Sequence, residues 1–139
     1  MIVKMFQPRF APAVQSGEKK QTIRPTPKRM PHAGEIISCR EWAGKPYRSK
    51  QRELFRGIIT EVSRIVIFSH EDGMRVKEKL DAYGIQKRWS AIENSNAFAK
   101  ADGFKSETAM RRWFVDTHGL PFAGILIRWA KIDEARENR

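Results

Sequence analysis

The 139-residue chain contains a single cysteine, Cys39, so it cannot form an internal disulfide bond. It also has no apolar run of about 18 residues, which excludes a transmembrane helix. The start of the chain is too short and too polar for a signal peptide, because Lys4, Gln7 and Arg9 interrupt its apolar positions. These absences predict a reduced, cytoplasmic protein without a membrane partner.

Patterns of metal ligands are missing as well. His32, His70 and His118 lie far apart, and there is no Cys-x-x-Cys or His-x-Glu sequence. The chain has neither a glycine-rich phosphate loop nor a Ser-His-Asp order. We therefore expect no metal site and no cofactor.

The length and apolar content predict one domain with one core. Hydrophobic residues make up 40% of the chain, and its length is near the common size of a single domain. Trp113 and Trp129 lie in apolar patterns and are predicted to belong to this core. We place the domain at residues 1–130 and expect residues 131–139 to form a charged tail that frays.

Positive charge dominates, and it is concentrated in one part of the chain. There are 27 Lys and Arg against 16 Asp and Glu, a formal net charge of +11. Residues 1–56 carry 13 basic and 4 acidic side chains, whereas residues 57–139 carry 14 and 12. Such a clustered field attracts polyanions. It favours nucleic acid as the partner over the alternative that the charge serves solubility alone.

Hydrophobic patterning predicts short strands interleaved with a few short helices. The predicted strands cover residues 1–6, 20–24, 35–42, 55–60, 62–68 and 122–129. The predicted helices cover residues 8–16 and 91–101, and a third begins at an N-cap, Ser106, and ends at Gly119. Residues 74–90 fit either a helix or a hairpin. Because no βαβ alternation is present, the order predicts an α+β fold, a small mixed barrel flanked by short helices.

Four ordered segments resemble the signature of ASCH domains. Residues 17–24 (GEKKQTIR) resemble its Gly-x-Lys-x-x-Thr-x-Arg motif, and residues 34–37 (GEII) resemble its Gly-Asp strand start. Residues 101–106 (ADGFKS) resemble its acidic-Gly-Phe-x-Ser segment, which precedes an aromatic-rich helix. Residues 121–129 (PFAGILIRW) resemble the closing strand of versions associated with phages and prophages. The resemblance covers nearly the whole predicted domain.

This resemblance implies a PUA-like β-barrel with a helix-flanked cleft, in a family linked to RNA. One branch removes the acyl group from 4-N-acetylcytidine with a Lys, a Thr three residues later and a distant carboxylate. Carried over by motif, these residues are Lys19, Thr22 and Asp102. The branch has a Glu at the last position, so Asp102 is one methylene shorter. RNA cleavage is a further activity associated with the family.

The residue types explain how such a set would act. A Thr hydroxyl is a poor nucleophile until a base takes its proton. A Lys is that base only when burial or nearby positive charge lowers its pKa. Strand alternation places Lys20, Thr22 and Arg24 on one face, whereas the motif spacing favours Lys19, so the lysine that meets Thr22 stays open. The alternatives are a packed strand Thr, solvated turn lysines, and Asp102 as an ordinary turn residue.

A second candidate surface is the basic segment of residues 40–52, which interleaves Arg and Lys with Trp42 and Tyr47. Phosphate contacts beside stacking aromatics suit single-stranded nucleic acid. We assign Tyr47, Arg48 and Lys50 to nucleic acid and Trp42 to the core. The alternative is a basic loop that faces water.

Other cations near the motif are predicted to contact RNA or another ligand. Lys20 and Arg24 are included, since the planar guanidinium of Arg24 fits a phosphate or a base edge. Lys28 and Arg29 lie in a stiff loop after Pro25 and complete this set.

Three functions follow from the sequence, in a definite order. Binding of RNA or of a modified nucleoside in a basic cleft comes first. An amidohydrolase that deacylates nucleosides of the 4-N-acetylcytidine type is the alternative. A ribonuclease is third, because no pair of histidines is positioned to move the protons of RNA cleavage.

Overall fold

The computed structural model describes residues 1–70, 73–82, 85–86, 89–93 and 95–132. The strands are β1 (Ile2–Met5), β2 (Gln21–Arg24), β3 (Ile36–Trp42), β4 (Gln51–His70), β5 (Gly73–Ala82), β6 (Ile85–Gln86), β7 (Ser90–Ala91) and β8 (Phe122–Lys131). The helices are α1 (Ala11–Ser16), α2 (Ser95–Ala101) and α3 (Glu107–Thr117). Within the described residues the fold is therefore α+β, with a mixed sheet and short helices. No helix in this part of the chain is long and apolar enough to cross a membrane.

The long strand β4 organises the sheet. The prediction of two strands over residues 55–60 and 62–68 is wrong, because β4 runs through both without a turn. Thr60 and Glu61 carry no turn chemistry, and the chain absorbs the irregularity as a register shift between Ile59 and Glu61 in its pairing with β8. As a result β4 pairs with β3, β8 and β5 along different parts of its length.

The sheet is not closed into a barrel by backbone pairing. β1 pairs in parallel with β3, and β2 pairs antiparallel with β8. Among the described residues no backbone ladder joins β1 to β2, so each of these strands leaves one edge unpaired. Of the predicted small mixed barrel flanked by short helices, the α+β class with a mixed sheet and short helices is confirmed, whereas closure into a barrel stays a prediction.

The core lies between the sheet and the helices. Alternate residues of the central strands are fully buried, including Ile65 and Ile67 of β4. The helix α3 presses Met110 and Phe114 onto this layer. It begins where the sequence predicts, since the Ser106 hydroxyl accepts a hydrogen bond from the Ala109 amide at 3.1 Å.

One other sequence prediction differs from the structure, and one open alternative is decided by it. The helix predicted from Ala91 begins only at Ser95, because Ala91 pairs with Lys77 of β5 in the short strand β7. Of the ambiguous residues 74–90, residues 74–82 belong to β5, the antiparallel neighbour of β4, which confirms the hairpin alternative there, while residues 83–84 and 87–88 lie outside the described residues. The last strand extends to Lys131, and the remainder of the predicted tail, residues 133–139, lies outside the described residues.

Candidate functional site

A pocket lies beside the unpaired edges of β1 and β2 and is covered by residues of α3 and of the turn after α2. Its volume is about 220 Å³, and Lys19, Thr22, Arg24 and Asp102 all line it. Lys19, Thr22 and Asp102 are each only 3% exposed. The fold thus brings together in one pocket the three residues carried over by motif and the arginine two positions after Thr22.

The two neighbouring lysines of the motif face different cavities. The helix α1 ends at Gly17, whose left-handed backbone (φ 87°) turns the chain toward β2. The amide of Lys20 then donates to the carbonyl of Ala101 at 2.9 Å, which fixes this turn against the end of α2. Lys19 lines the pocket, whereas Lys20 is exposed and lies outside it. Lys19, and not Lys20, therefore shares the pocket with Thr22.

Asp102 reaches the pocket because the backbone itself passes close to Lys19. The Asp102 amide donates to the carbonyl of Phe98 at 3.1 Å, and Gly103 follows in a left-handed conformation (φ 93°). A Cβ atom on Gly103 would lie 3.0 Å from Cδ of Lys19 and 3.2 Å from the ring of Phe10. Only glycine combines this conformation with this close approach. The shorter side chain of Asp, compared with Glu, is matched by a backbone that lies against the lysine.

Lys19 and Asp102 form a buried ion pair. Nζ of Lys19 donates to the main-chain oxygen of Asp102 and lies 3.6 Å from its Oδ1 atom. The amide of Gln21 points at the same Oδ1, at 3.4 Å. Burial raises the pKa of Asp102 to about 6, although the nearby Lys19 opposes the shift. Burial also lowers the pKa of Lys19, and the positive charge of Arg24 acts in the same direction.

Arg24 connects Thr22 to the neighbouring strand. Its Nε donates to the hydroxyl oxygen of Thr22 at 3.1 Å, and its Nη2 donates to the carbonyl of Met5 at 2.7 Å. Its guanidinium carbon lies 4.9 Å from the centre of the Phe6 ring. Arg24 thereby bridges the unpaired edges of β2 and β1 and places a positive charge beside the Thr22 hydroxyl.

Aromatic side chains form the apolar wall of the pocket. Phe10 meets Phe104 edge to face at a centroid distance of 5.4 Å, and Trp113 lies 6.0 Å from Phe10. Nζ of Lys19 lies 5.1 Å from the centre of the Phe10 ring. Trp113, predicted to belong to the core, is half-buried: it packs against the core cluster and also lines the pocket. Trp129, in contrast, is buried as predicted.

The single cysteine does not line the pocket, and burial disfavours its thiolate form. Cys39 is fully buried on β3, and burial raises its pKa to about 12 despite the positive charges of Arg24 and Lys19. The thiolate is the nucleophilic form of cysteine. Within this pocket, Thr22 is therefore better placed to act as a nucleophile than Cys39.

Lys20 lines a separate shallow groove on the other side of the turn. Lys100 and Lys105 line the same groove, which has a volume of about 980 Å³ and shares Phe104 with the pocket. Glu18 is its one acidic residue among the lining positions. The sequence motif singles out Lys20, but nothing in it points to Lys100 or Lys105, because α2 and the turn after it bring them there.

The aromatic and basic segment forms the tip of the hairpin between β3 and β4. Tyr47, Arg48 and Lys50 are exposed there, and Tyr47 is 89% exposed with a left-handed backbone (φ 63°). The rings of Trp42 and Tyr47 lie 5.2 Å apart. The assignment of Trp42 to the core is wrong, since it is half-buried and its ring contacts this exposed tyrosine at an interplanar angle of 48°.

The other two predicted cations lie on the loop after β2. Lys28 and Arg29 are exposed, and Arg29 lies 3.4 Å from a carboxylate oxygen of Glu35. They are not among the residues that line the pocket, although Pro25 at the start of the same loop is.

Two residues in or beside the pocket were not predicted as site residues: His118 belongs to its lining, whereas Arg9 only lies against two rings of its wall. His118, just after α3, lines the pocket and stacks on Phe122 at 4.8 Å. Arg9 precedes α1, and its guanidinium lies over the rings of Phe10 and Phe104. An alternation of charge and aromatic residues around Arg9 is visible in the sequence, but its meaning depends on the distant Phe104.

Comparisons with known proteins add no relative. No protein-family model, no curated protein and no solved structure matches the chain. Within the described ranges, no group of three or more His, Cys, Asp or Glu side chains is arranged to hold a metal ion. The chemistry of the pocket must therefore be argued from its own residues.

Proposed function

We propose that this chain is an ASCH-type domain that binds one nucleoside unit, free or within RNA, in the pocket around Lys19. The observation that carries the proposal is the convergence of Lys19, Thr22, Arg24 and Asp102 in one half-enclosed, aromatic-walled pocket. The turn after α1 and the turn after α2 are distant in sequence, so their meeting here is a property of the fold.

The composition of the pocket suits a nucleobase. Proteins recognise unstacked bases by stacking on aromatic rings and by hydrogen bonds to the base edge. The wall offers Phe10 and Phe104, while Lys19 and Arg24 offer donors and Asp102 offers an acceptor. The volume of about 220 Å³ lies below that of typical drug-sized sites, which favours a single base or base edge over a larger ligand.

The sheet supports the proposed family through its two open edges. We infer that they form the seam of a PUA-like barrel in which side chains replace the last backbone ladder. The hydrogen bond from Arg24 to the Met5 carbonyl spans this seam at 2.7 Å. A seam held by a side chain leaves room for a pocket at the position where a ladder would fill the gap.

The surface around the pocket supports nucleic acid as the source of the nucleoside. The hairpin tip presents Arg48 and Lys50 beside the exposed ring of Tyr47. Its strand β3 pairs Arg40 with Met5, which lines the pocket, so the tip extends from the same end of β1. Base stacking on tyrosine together with phosphate contacts is the usual combination for single strands.

Titration with nucleosides tests this proposal. We expect cytidine or 4-N-acetylcytidine to bind by calorimetry and to quench the fluorescence of Trp113. Asp102→Asn and Arg24→Gln should each weaken binding about tenfold, because hydrogen bonds to charged groups contribute roughly 1.5–3 kcal/mol. Arg64→Gln, on the exposed face of β4, is the matched control. Equal affinities for all four proteins, or no binding of either nucleoside, would reject the proposal.

An amidohydrolase is the second candidate, and one observation favours it. Burial lowers the pKa of Lys19 against the opposing charge of Asp102, with Arg24 acting in the same direction as burial, and Lys19 lines the same pocket as Thr22. A lysine with a lowered pKa is the base that a Thr nucleophile requires. The guanidinium of Arg24, bound to the Thr22 oxygen, favours the developing alkoxide.

The proposed reaction balances with these residues alone. Neutral Lys19 takes the hydroxyl proton while Oγ1 of Thr22 attacks the acyl carbonyl of an N-acylated cytidine. The tetrahedral intermediate collapses, and the cytidine amine leaves with a proton returned by Lys19. Water, deprotonated by the same lysine, then hydrolyses the acyl ester on Thr22 and releases the carboxylic acid. Asp102 holds Lys19 in place during both steps.

A pair of variants separates turnover from binding. Thr22→Val removes the hydroxyl and retains the branched shape, whereas Thr22→Ser retains a hydroxyl. We expect chromatography of 4-N-acetylcytidine to show cytidine formation by wild type and Thr22→Ser, with a loss of about 10³-fold or more in Thr22→Val. Formation of cytidine at equal rates in all three proteins would exclude Thr22 as the nucleophile.

A further inference from the structure

The positively charged guanidinium of Arg9 lies against the aromatic wall of the pocket. Its guanidinium carbon lies 4.9 Å from the centre of the Phe10 ring and 5.8 Å from that of Phe104. Both rings line the pocket, while Arg9 itself is exposed. None of the carboxylates in the described part of the chain forms an ion pair with Arg9. These cation–π contacts hold the guanidinium against the wall, and its exposed position leaves N–H groups accessible to a ligand.

The separation between Arg9 and Lys19 is short enough for one nucleotide to reach both. Nζ of Lys19 and Cζ of Arg9 each lie about 5 Å from the centre of the Phe10 ring, so no more than about 10 Å separates them. A base whose edge meets Lys19 inside the pocket would carry its phosphate to the rim, where Arg9 lies.

Beyond this rim lies the groove that contains Lys20. Phe104 forms part of both cavities, so the pocket and the groove are separated by little more than one side chain. Lys100 and Lys105 line the groove together with Lys20, against the single acid Glu18. The remaining lining residues are mostly Ala, Ser and Gly, which leaves the groove wide and shallow enough for a backbone rather than for a base.

We propose that a single-stranded nucleic acid crosses this wall at Arg9, with one base in the pocket, its phosphate on Arg9 and the adjoining phosphates along the groove of Lys20, Lys100 and Lys105. The proposal rests on the proposed function, because it takes the base to occupy the pocket. A planar guanidinium binds a phosphate through two parallel hydrogen bonds, and lysines in an open groove act as point charges for the next phosphates.

A series of ligands with and without phosphate groups tests the phosphate site. Cytidine, cytidine 5′- and 3′-monophosphates and short single-stranded oligoribonucleotides are titrated at low salt. We expect one of the monophosphates to bind about tenfold more tightly than cytidine, given the strength of hydrogen bonds between charged groups. Arg9→Gln should remove this gain and leave the affinity for cytidine unchanged. Arg9→Lys, which keeps the charge without the fork, should retain only part of it.

The contribution of the groove is tested by a separate measurement, the salt dependence of oligonucleotide binding. Lys100→Gln/Lys105→Gln should leave the affinity for the monophosphates unchanged and weaken the oligonucleotide. Removal of two phosphate contacts should reduce the slope of log affinity against log salt by about 1.4 for a single strand. The control with the same change in charge is Arg64→Gln/Arg111→Gln, at two exposed positions outside the groove. Oligodeoxyribonucleotides of the same sequence then show whether the strand is RNA or DNA.

The outcomes separate the two proposals. If cytidine binds but neither monophosphate binds more tightly, or if Arg9→Gln retains the gain, the phosphate site is overturned while the nucleoside pocket stands. If the groove variant and its control have the same salt slope, the path along the groove is overturned. If no nucleoside binds and the oligonucleotide binds with equal affinity to Asp102→Asn, the proposed function itself fails. Melting curves of each variant verify that it is folded.

Discussion

Nζ of Lys19 donates a hydrogen bond to the main-chain oxygen of Asp102, a residue 83 positions further along the chain. The same nitrogen lies 3.6 Å from the Asp102 carboxylate, and both side chains are about 95% buried. One contact therefore links the turn after α1 to the turn after α2 and also sets the charge at the base of the pocket. The ionisation of these two side chains should affect both the free energy of unfolding and the affinity for a ligand.

The raised pKa of Asp102 predicts a specific dependence of stability on pH. Its folded value of about 6 lies above the ordinary value of 3.8, so the folded protein holds this proton more tightly than the unfolded chain does. The stabilisation is present in full below the ordinary value and is lost as the pH rises through about 6. We expect the free energy of unfolding of wild type, relative to Asp102→Asn, to fall by up to roughly 3 kcal/mol between pH 4 and pH 7.

Urea denaturation across this range, with both proteins in the same buffers, measures the effect. The comparison with Asp102→Asn cancels the repulsion that the net charge of +11 adds at acidic pH. A difference that is constant with pH would contradict the assignment.

Lys19 and Asp102 should be coupled in stability. Lys19→Met leaves a buried carboxylate without its cation, and the loss of one partner of a buried pair costs about 3–5 kcal/mol. The double variant Lys19→Met/Asp102→Asn removes both charges, so we expect it to be at least about 1 kcal/mol more stable than the sum of the single losses predicts. Midpoints of urea denaturation give this coupling energy directly. If the losses of the two single variants add up to the loss of the double variant, the interaction between Lys19 and Asp102 does not contribute to stability.

The side-chain seam at Arg24 should be detectable by hydrogen exchange. Arg24→Lys loses the geometry that reaches Thr22 and Met5 at the same time, and we expect a loss of about 1–3 kcal/mol in the free energy of unfolding. Amide protection in β1 and β2 should fall more than in β4. Arg56→Gln is the control, because its ion pair with Glu53 is exposed and should contribute about 0–1 kcal/mol. A uniform loss of protection across the sheet would argue against a local seam.

The hairpin tip should contribute to RNA affinity independently of the pocket. Tyr47→Ala should weaken binding of a single-stranded oligoribonucleotide by about 1–3 kcal/mol through loss of stacking. Arg48→Gln/Lys50→Gln should lower the salt slope of that binding by about 1.4. Neither variant should change the affinity for free cytidine, because these residues do not line the pocket. Fluorescence anisotropy at several salt concentrations measures both effects, and an unchanged anisotropy titration would remove the hairpin from the interface.

Local sequence signals were sufficient for most of the elements, and they failed where the tertiary structure decides. The cap at Ser106 and the stop at Gly17 depend on hydrogen bonds within a few residues, so both could be predicted. The continuity of β4 could not, because a register shift against β8 is a property of the partner strand and leaves no turn residue behind. Ala91 likewise enters a strand through its pairing with Lys77, against its local helical pattern.

The residues of the site divide in the same way between those that local sequence identifies and those that the tertiary structure brings there. The motif identifies Lys19, Thr22, Arg24 and Asp102, and all four line one pocket. Strand alternation alone would have chosen Lys20, but the chain is still in a turn at that point and alternation does not yet apply. The place of Trp113 in the pocket was not predictable, because an apolar pattern does not distinguish a core residue from one that lines a pocket. Lys100 and Lys105 were not predictable either, because they join Lys20 in one groove only in the folded chain.

The bridge from Arg24 to Met5 has a consequence for the exposed edges of the sheet. A seam held by one side chain opens through a single rotamer change, without the cooperative loss of neighbouring pairs that a backbone ladder requires. A ligand anion that draws the guanidinium away from Met5 would remove the described bridge between two strand edges that are already unpaired. Exposed β edges are templates for pairing with other chains. Because linkage is reciprocal, whatever covers those edges would also oppose the ligand, so self-association and ligand affinity are connected through one arginine.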